Sequence, residues 1–173
     1  QVPELLRIVT KKDVGLEIGA SVSLQDAAAA LSRIAPDLNR LVRRFGSRQV
    51  RSQATVCGNI AIGSPIGDLP PAFIALGARL RIASATGVRE IPLEEFFIDY
   101  GKQDMSSGEY VESVIIQTEP TLQFRCWKIS KRFDQDISSV LGAFSTNIEN
   151  GGMGRVRICF GGMAATPKRA RKC

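Results

Sequence analysis

The chain has 173 residues, 44% of them hydrophobic and 23% charged, which suits one ordinary globular domain or two small ones and excludes a disordered chain. Its net charge of +6 admits an anionic partner. No apolar run approaches the length of a membrane span, and no charged start leads into an apolar signal segment.

There is no histidine, which removes the commonest general base and the commonest metal ligand. The four cysteines, Cys57, Cys126, Cys159 and Cys173, are widely spaced and contain no CxxC pair. A zinc or iron–sulfur site held by this chain alone is therefore not expected. Reduced thiols and a cytoplasmic location are.

The first residues, Gln1-Val2-Pro3-Glu4, read as the middle of a longer chain. Val14–Ala20 alternates loosely and predicts a strand. Ser23 is placed to cap a helix, with Asp26 in its first turn. Leu24, Ala27, Ala28, Leu31 and Ile34 then follow the spacing of one buried helical face. Pro36 stops that helix and Asp37 is placed to cap a second. There Leu38, Leu41, Val42 and Phe45 repeat the spacing and Gly46 ends it. Arg40, Arg43 and Arg44 fall on its other face and, with Arg48 and Arg51, make a basic cluster. No aromatic pattern interleaves these charges, so a nucleic-acid surface is the weaker reading.

Gln53–Pro71 (QATVCGNIAIGSPIGDLPP) is nearly uncharged and rich in small residues. Glycines at Gly58, Gly63 and Gly67 alternate with Thr55, Asn59 and Ser64, and Asp68 follows. Such a run predicts a loop whose backbone N–H groups and short polar side chains cradle a ligand. The plainer alternative is a tight loop folded on the core.

Ala72–Gly77 fits a short helix, with Pro70 and Pro71 suited to its first turn. Arg79–Ala83 and Val88–Ile91 make a hairpin around Thr86-Gly87. Pro92–Phe97 reads as a helical turn, Tyr100–Gly108 as a polar loop and Tyr110–Ile116 as a strand. Glu119-Pro120 marks a boundary. Beyond it Leu122–Lys131 predicts a strand with Phe124, Cys126 and Ile129 as its inward positions. Asp134-Gln135-Asp136 is a turn. Val140–Ile148 and Arg155–Phe160 are two more strands, joined through Asn150-Gly151-Gly152. Ala164–Cys173 is basic and has no core pattern. Strands, helices and further strands in that order predict an α+β fold in two segments.

The run QATVCGNIAIGSPIGDLPPAFIALGARL, with WKISKRFDQDIS and GRVRICFGGMAATPKRA downstream, resembles the flavin-binding part of the molybdenum hydroxylases. Within them it is most similar to the small subunit of the bacterial xanthine dehydrogenase group. The resemblance covers almost the whole chain. It implies that residues 1–119 are the second subdomain of a two-part FAD-binding domain. It implies that residues 120–173 open a C-terminal domain with a small antiparallel sheet. The family's iron–sulfur domain and first flavin subdomain would precede this segment on the same polypeptide, and a separate large subunit would hold the molybdenum cofactor. Electrons would pass from iron–sulfur clusters through FAD to NAD during purine oxidation.

Carried over by position, the resemblance places Phe45 beside the flavin. It places Thr55, Gly58 and Asn59 at the phosphate and ribityl region, with Ser64 on the same loop. Asp68 would accept from sugar hydroxyls. Met105, or its neighbour Asp104, would flank the ring, and Lys128 would reach the cofactor from the later strand. No catalytic acid, base or metal ligand is implied. Cys57 stands where the family has a second glycine, and Ile62 where a polar residue is common. As a segment, the chain is expected to bind FAD weakly or not at all. Two alternatives stay open: a flavoprotein subunit of a carbon monoxide dehydrogenase, and a non-enzymatic basic binding module. Neither a nucleic acid nor a membrane is an expected partner of the flavoprotein.

Overall fold

The computed structural model describes residues 3–11, 15–149 and 151–172. The expectations on Gln1, Val2, Val14, Asn150 and Cys173 fall outside them. After a 3-10 turn at Pro3–Leu6, β1 (Ile8–Lys11) and β2 (Gly15–Gly19) pair antiparallel, Ile8 opposite Ile18. Four helices follow: α1 (Leu24–Ile34), α2 (Pro36–Arg43), α3 (Arg48–Gln53) and α4 (Val56–Ala61). Next come α5 (Leu69–Ala75), β3 (Arg79–Ser84), β4 (Gly87–Pro92) and α6 (Leu93–Phe96). A small ladder, β5 (Phe97–Asp99) with β6 (Lys102–Gln103), precedes β7 (Tyr110–Ile116). The remaining strands are β8 (Leu122–Ile129), β9 (Val140–Glu149), β10 (Gly152–Gly161) and β11 (Lys168–Arg169).

The strands form two main antiparallel sheets, β1-β2-β7-β3-β4 and β11-β10-β9-β8. Each is drawn from one of the two predicted segments. Three helices pack on the sheets: α4 on β2 and β7, α5 on β9 and β10, and α2 on β8, with α4 also against α5. All seven residues of α5 are buried. Its Phe73 is wholly enclosed, and truncating such a side chain to Ala costs about 3–5 kcal/mol. Two polar contacts lock the layers. Ser145 Oγ donates to the Ala75 carbonyl at the end of α5, and the buried Asp37 carboxylate accepts the Cys126 backbone N–H at 3.1 Å. No helix among the described residues is long and apolar enough to cross a membrane.

Several local expectations are corrected. Asp37 does not cap α2, which starts at Pro36 behind Ala35; its carboxylate is spent on β8 instead. Most of Gln53–Pro71 is helical rather than loop, because Thr55 caps α4 through an accepted bond from Gly58 N at 2.9 Å. Only residues 62–68 between α4 and α5 are irregular. On β8 the inward residues are Phe124, Cys126 and Lys128, while Ile129 is 61% exposed. The two-residue period allows no other result once Phe124 and Cys126 face the core. The tail contributes β11, held by pairing with Cys159 and Phe160 rather than by apolar burial.

Candidate cofactor cleft

Residues 62–68 leave α4 with Gly63 at φ +64, a conformation that favours glycine. The Gln103 amide packs where a Cβ on Gly63 would stand. The Pro65 carbonyl accepts from Gly162 N at 2.8 Å, which ties this loop to the far end of β10. The loop therefore has a fixed shape, set by both segments of the chain.

Beside it lies a cleft of about 350 Å³. Phe45 and Gly46 contribute the exit of α2. Asn59, Ser64, Ile66 and Asp68 contribute the loop and its helix. Lys128 comes from β8, and Gln135 to Ser138 from the turn after it. At the buried base the Lys128 ammonium donates to Asp68 Oδ2 at 2.6 Å, with side chains only 4% and 5% exposed. Ser138 Oγ donates to the other carboxylate oxygen. Asp68 makes no side-chain cap on α5, so its role lies in this network. Asn59 Oδ1 accepts from Leu69 N at 3.2 Å, which leaves its amide N–H donors without a described partner.

Arg44 fixes the opposite wall. Its guanidinium donates to the carbonyls of Lys128 (2.7 Å) and Phe133 (3.0 Å) and to Ser130 Oγ (3.1 Å), and lies 4.7 Å over the Phe133 ring. Arg51 donates to the carbonyls of Arg43, Phe45 and Gly46, which closes the exit of α2 behind Phe45. Two of the five clustered arginines are thus spent inside the protein, which weakens the reading of that cluster as a nucleic-acid face.

The cleft brings together Phe45, Asn59, Ser64, Asp68 and Lys128. Thr55, Gly58 and Met105 do not line it. Thr55 and Gly58 satisfy one another at the start of α4. Asp104 is held at 2.8 Å by Arg89. Sequence reasoning missed Ser138, for which the run DQDIS offered only a turn signal, and Arg44, whose target lies 84 residues away. Cys57 does not crowd the cleft. Its thiol is buried and directed at the Ile18 carbonyl on β2, and burial pushes it up to about 12. Ile62 sits at the cleft mouth, 70% exposed.

The lining carries one cation, Lys128, and two carboxylates, Asp68 and Asp136. The Asp136 carboxylate is occupied by the backbone N–H groups of Arg132 and Ile137, whose hydrogen bonds, the former first, lower its pKa. A site with no net positive charge suits neutral hydroxyls and ring edges better than a diphosphate. Its polar base, apolar rim and volume suit a small polar ligand or one part of a larger one.

Residues 1–118 match the family model of the FAD binding domain in molybdopterin dehydrogenase, and residues 125–173 match that of the CO dehydrogenase flavoprotein C-terminal domain. Xanthine dehydrogenase 1 of Arabidopsis thaliana is 32% identical over 99% of this chain and 14% of its own length. Nicotinate hydroxylase hnxS of Emericella nidulans is 33% identical over 91% of this chain and 13% of its own. The chain thus spans about one seventh of the length of these curated relatives. Among solved structures, the carbon monoxide dehydrogenase of Hydrogenophaga pseudoflava superposes with a TM-score of 0.91 at 23% identity, over 98% of this chain and 60% of that one. Quinoline 2-oxidoreductase of Pseudomonas putida 86 gives 0.87 at 24%, over 99% and 60%. These two likenesses establish a shared fold.

Proposed function

Since the chain belongs to the family of FAD-binding domains of the molybdopterin dehydrogenases, we propose that the cleft between α2, residues 62–68 and β8 holds part of FAD. The observation that carries this reading is the convergence of Phe45, Asn59, Ser64, Asp68 and Lys128 on one cleft. They come from parts of the chain up to 83 residues apart in sequence, and the family resemblance assigns the same five to the cofactor.

In this reading Asn59 donates from its free amide N–H groups to a ribityl or sugar oxygen. Asp68 is held still by Lys128 and Ser138, and its remaining lone pairs accept from hydroxyls. Lys128, with one proton on Asp68, offers the others to cofactor oxygens. Phe45, with Ile62 and Ile66, gives apolar contact at the rim. Thr55 and Gly58 act through α4, whose first turn they fix, and Met105 through the segment next to Gln103. The bound isoalloxazine would supply the electron-carrying chemistry. The chain's own part is to bind, orient and shield it, and no side chain here is needed as an acid or base.

The two segments, 1–119 and 120–173, are read as the second flavin subdomain and the opening of the C-terminal domain. The wider setting is carried by resemblance to xanthine dehydrogenases: iron–sulfur clusters and a molybdenum cofactor elsewhere in the assembly, NAD as acceptor and a purine as the oxidised substrate. Titration of FAD fluorescence tests the assignment. Asn59→Ala is expected to weaken binding roughly 2–10-fold, the worth of one lost hydrogen bond. An unchanged affinity in a folded Asn59→Ala variant would remove Asn59 from the site.

A further inference from the structure

A second hollow, of about 250 Å³, shares no residue with the cleft. It opens between the end of α5, the start of β3 and the pair β10–β11. Gly77, Arg79, Glu94, Gln117, Arg157 and Arg169 shape it. Arg157 lies two positions from the buried Cys159 on β10, so its side chain leaves the sheet on the helix-facing side. Its guanidinium rests on Gly77, where an added Cβ would come within 2.7 Å of Nη1. Gly77 has φ +71, which favours glycine and so keeps this approach open.

The charges around this hollow do not balance. Arg79 reaches Glu90 at 3.7 Å, and Arg155 reaches Glu119 at 2.8 Å. Arg169 and Arg171 share the single Glu94 carboxylate, at 3.6 and 3.5 Å. Arg157 has no ion pair or hydrogen bond among the described residues, and Arg169 Nε is buried without a partner. Among the residues that line the hollow, Arg79, Arg157 and Arg169 thus face the single carboxylate of Glu94. Burial, and then the nearby Arg155 and Arg169, lowers the Arg157 pKa. A half-buried guanidinium with two cations near it and no acceptor is disfavoured, and the buried Arg169 Nε–H left unsatisfied adds to that cost.

We propose that this hollow is a binding site for a compact dianion of the phosphate class, held by the guanidinium groups of Arg157 and Arg169, with Arg79 at its edge. The excess of two positive charges matches a dianion, and guanidinium forks match tetrahedral oxyanion edges. A carboxylate from another protein would bring one charge and leave the excess half-compensated.

The test is the thermal unfolding midpoint of the chain in inorganic phosphate, compared with chloride and acetate at equal ionic strength. A ligand that binds only the folded state raises the midpoint in a saturable way. Phosphate is expected to raise it, with acetate and chloride flat. Arg157→Gln is expected to abolish the rise and to weaken phosphate binding by calorimetry at least about tenfold. In phosphate-free buffer the same variant is expected to be more stable than wild type, because an unpaired cation is gone. Where Arg157→Gln does not fold, Arg169→Gln supplies the same comparison. Equal responses to acetate and phosphate would overturn the proposal, and so would a phosphate response kept by the folded variants.

Discussion

The ammonium of Lys128 lies 2.6 Å from the carboxylate of Asp68, 60 residues earlier in the chain, and both side chains are almost fully enclosed. This contact joins the second segment to the end of the loop at residues 62–68. It also sets the base of the cleft. Breaking a buried pair leaves one charge uncompensated and costs about 3–5 kcal/mol. Lys128→Met and Asp68→Leu are each expected to lose that much in urea denaturation. Replacing both together removes the stranded charge, so the double variant is expected to lose less than either single one. Additive losses would show that the two residues do not act as a pair.

Thr55 separates a structural from a cofactor role. Its hydroxyl accepts from Gly58 N at the start of α4. Thr55→Ala is expected to cost about 0.5–2 kcal/mol, the range for a lost helix cap. The FAD affinity of the folded variant is expected to stay near wild type. A loss of affinity with no loss of stability would place the hydroxyl on the cofactor itself.

The pH dependence has one well-defined contributor. Side-chain hydrogen bonds from Arg89, then the Ser106 backbone N–H, lower Glu109 from 4.5 to about 2. A carboxylate with a depressed folded pKa contributes stability that is present above its unfolded pKa and lost as pH falls through the folded one. The stability difference between wild type and Glu109→Gln is therefore expected to be constant above about pH 5. It should shrink between 4.5 and about 2. A difference that does not change across that window would mean that the Arg89 contact does not form in solution.

Regular periodicity carried most of the fold. Ser23, Leu24, Ala27 and Leu31 announced α1, and its cap bond from Asp26 N is present at 3.1 Å. The same rule should have put Lys128 inward from Phe124 and Cys126. Hydrophobicity argued for Ile129 instead, because a buried lysine is paid for only by a partner that local sequence does not reveal. The small residues of Gln53–Pro71 suggested loop throughout. They form α4 because Thr55 caps it and because Val56, Cys57 and Ile60 find a buried face. Arg44 and Ser138 were illegible for one shared reason. Each acts across a long sequence separation, on a carbonyl or carboxylate that only tertiary packing brings within reach.

The most direct measurement is an amide chemical-shift titration of the labelled chain with FAD. Saturable shifts are expected at Phe45, Asn59, Ser64, Asp68, Lys128 and Ser138. A cleft that encloses only part of a dinucleotide should give a Kd on the order of tens of micromolar or weaker. Shifts absent from these residues, or centred on Arg157 and Arg169 instead, would contradict the assignment of the cleft to the cofactor.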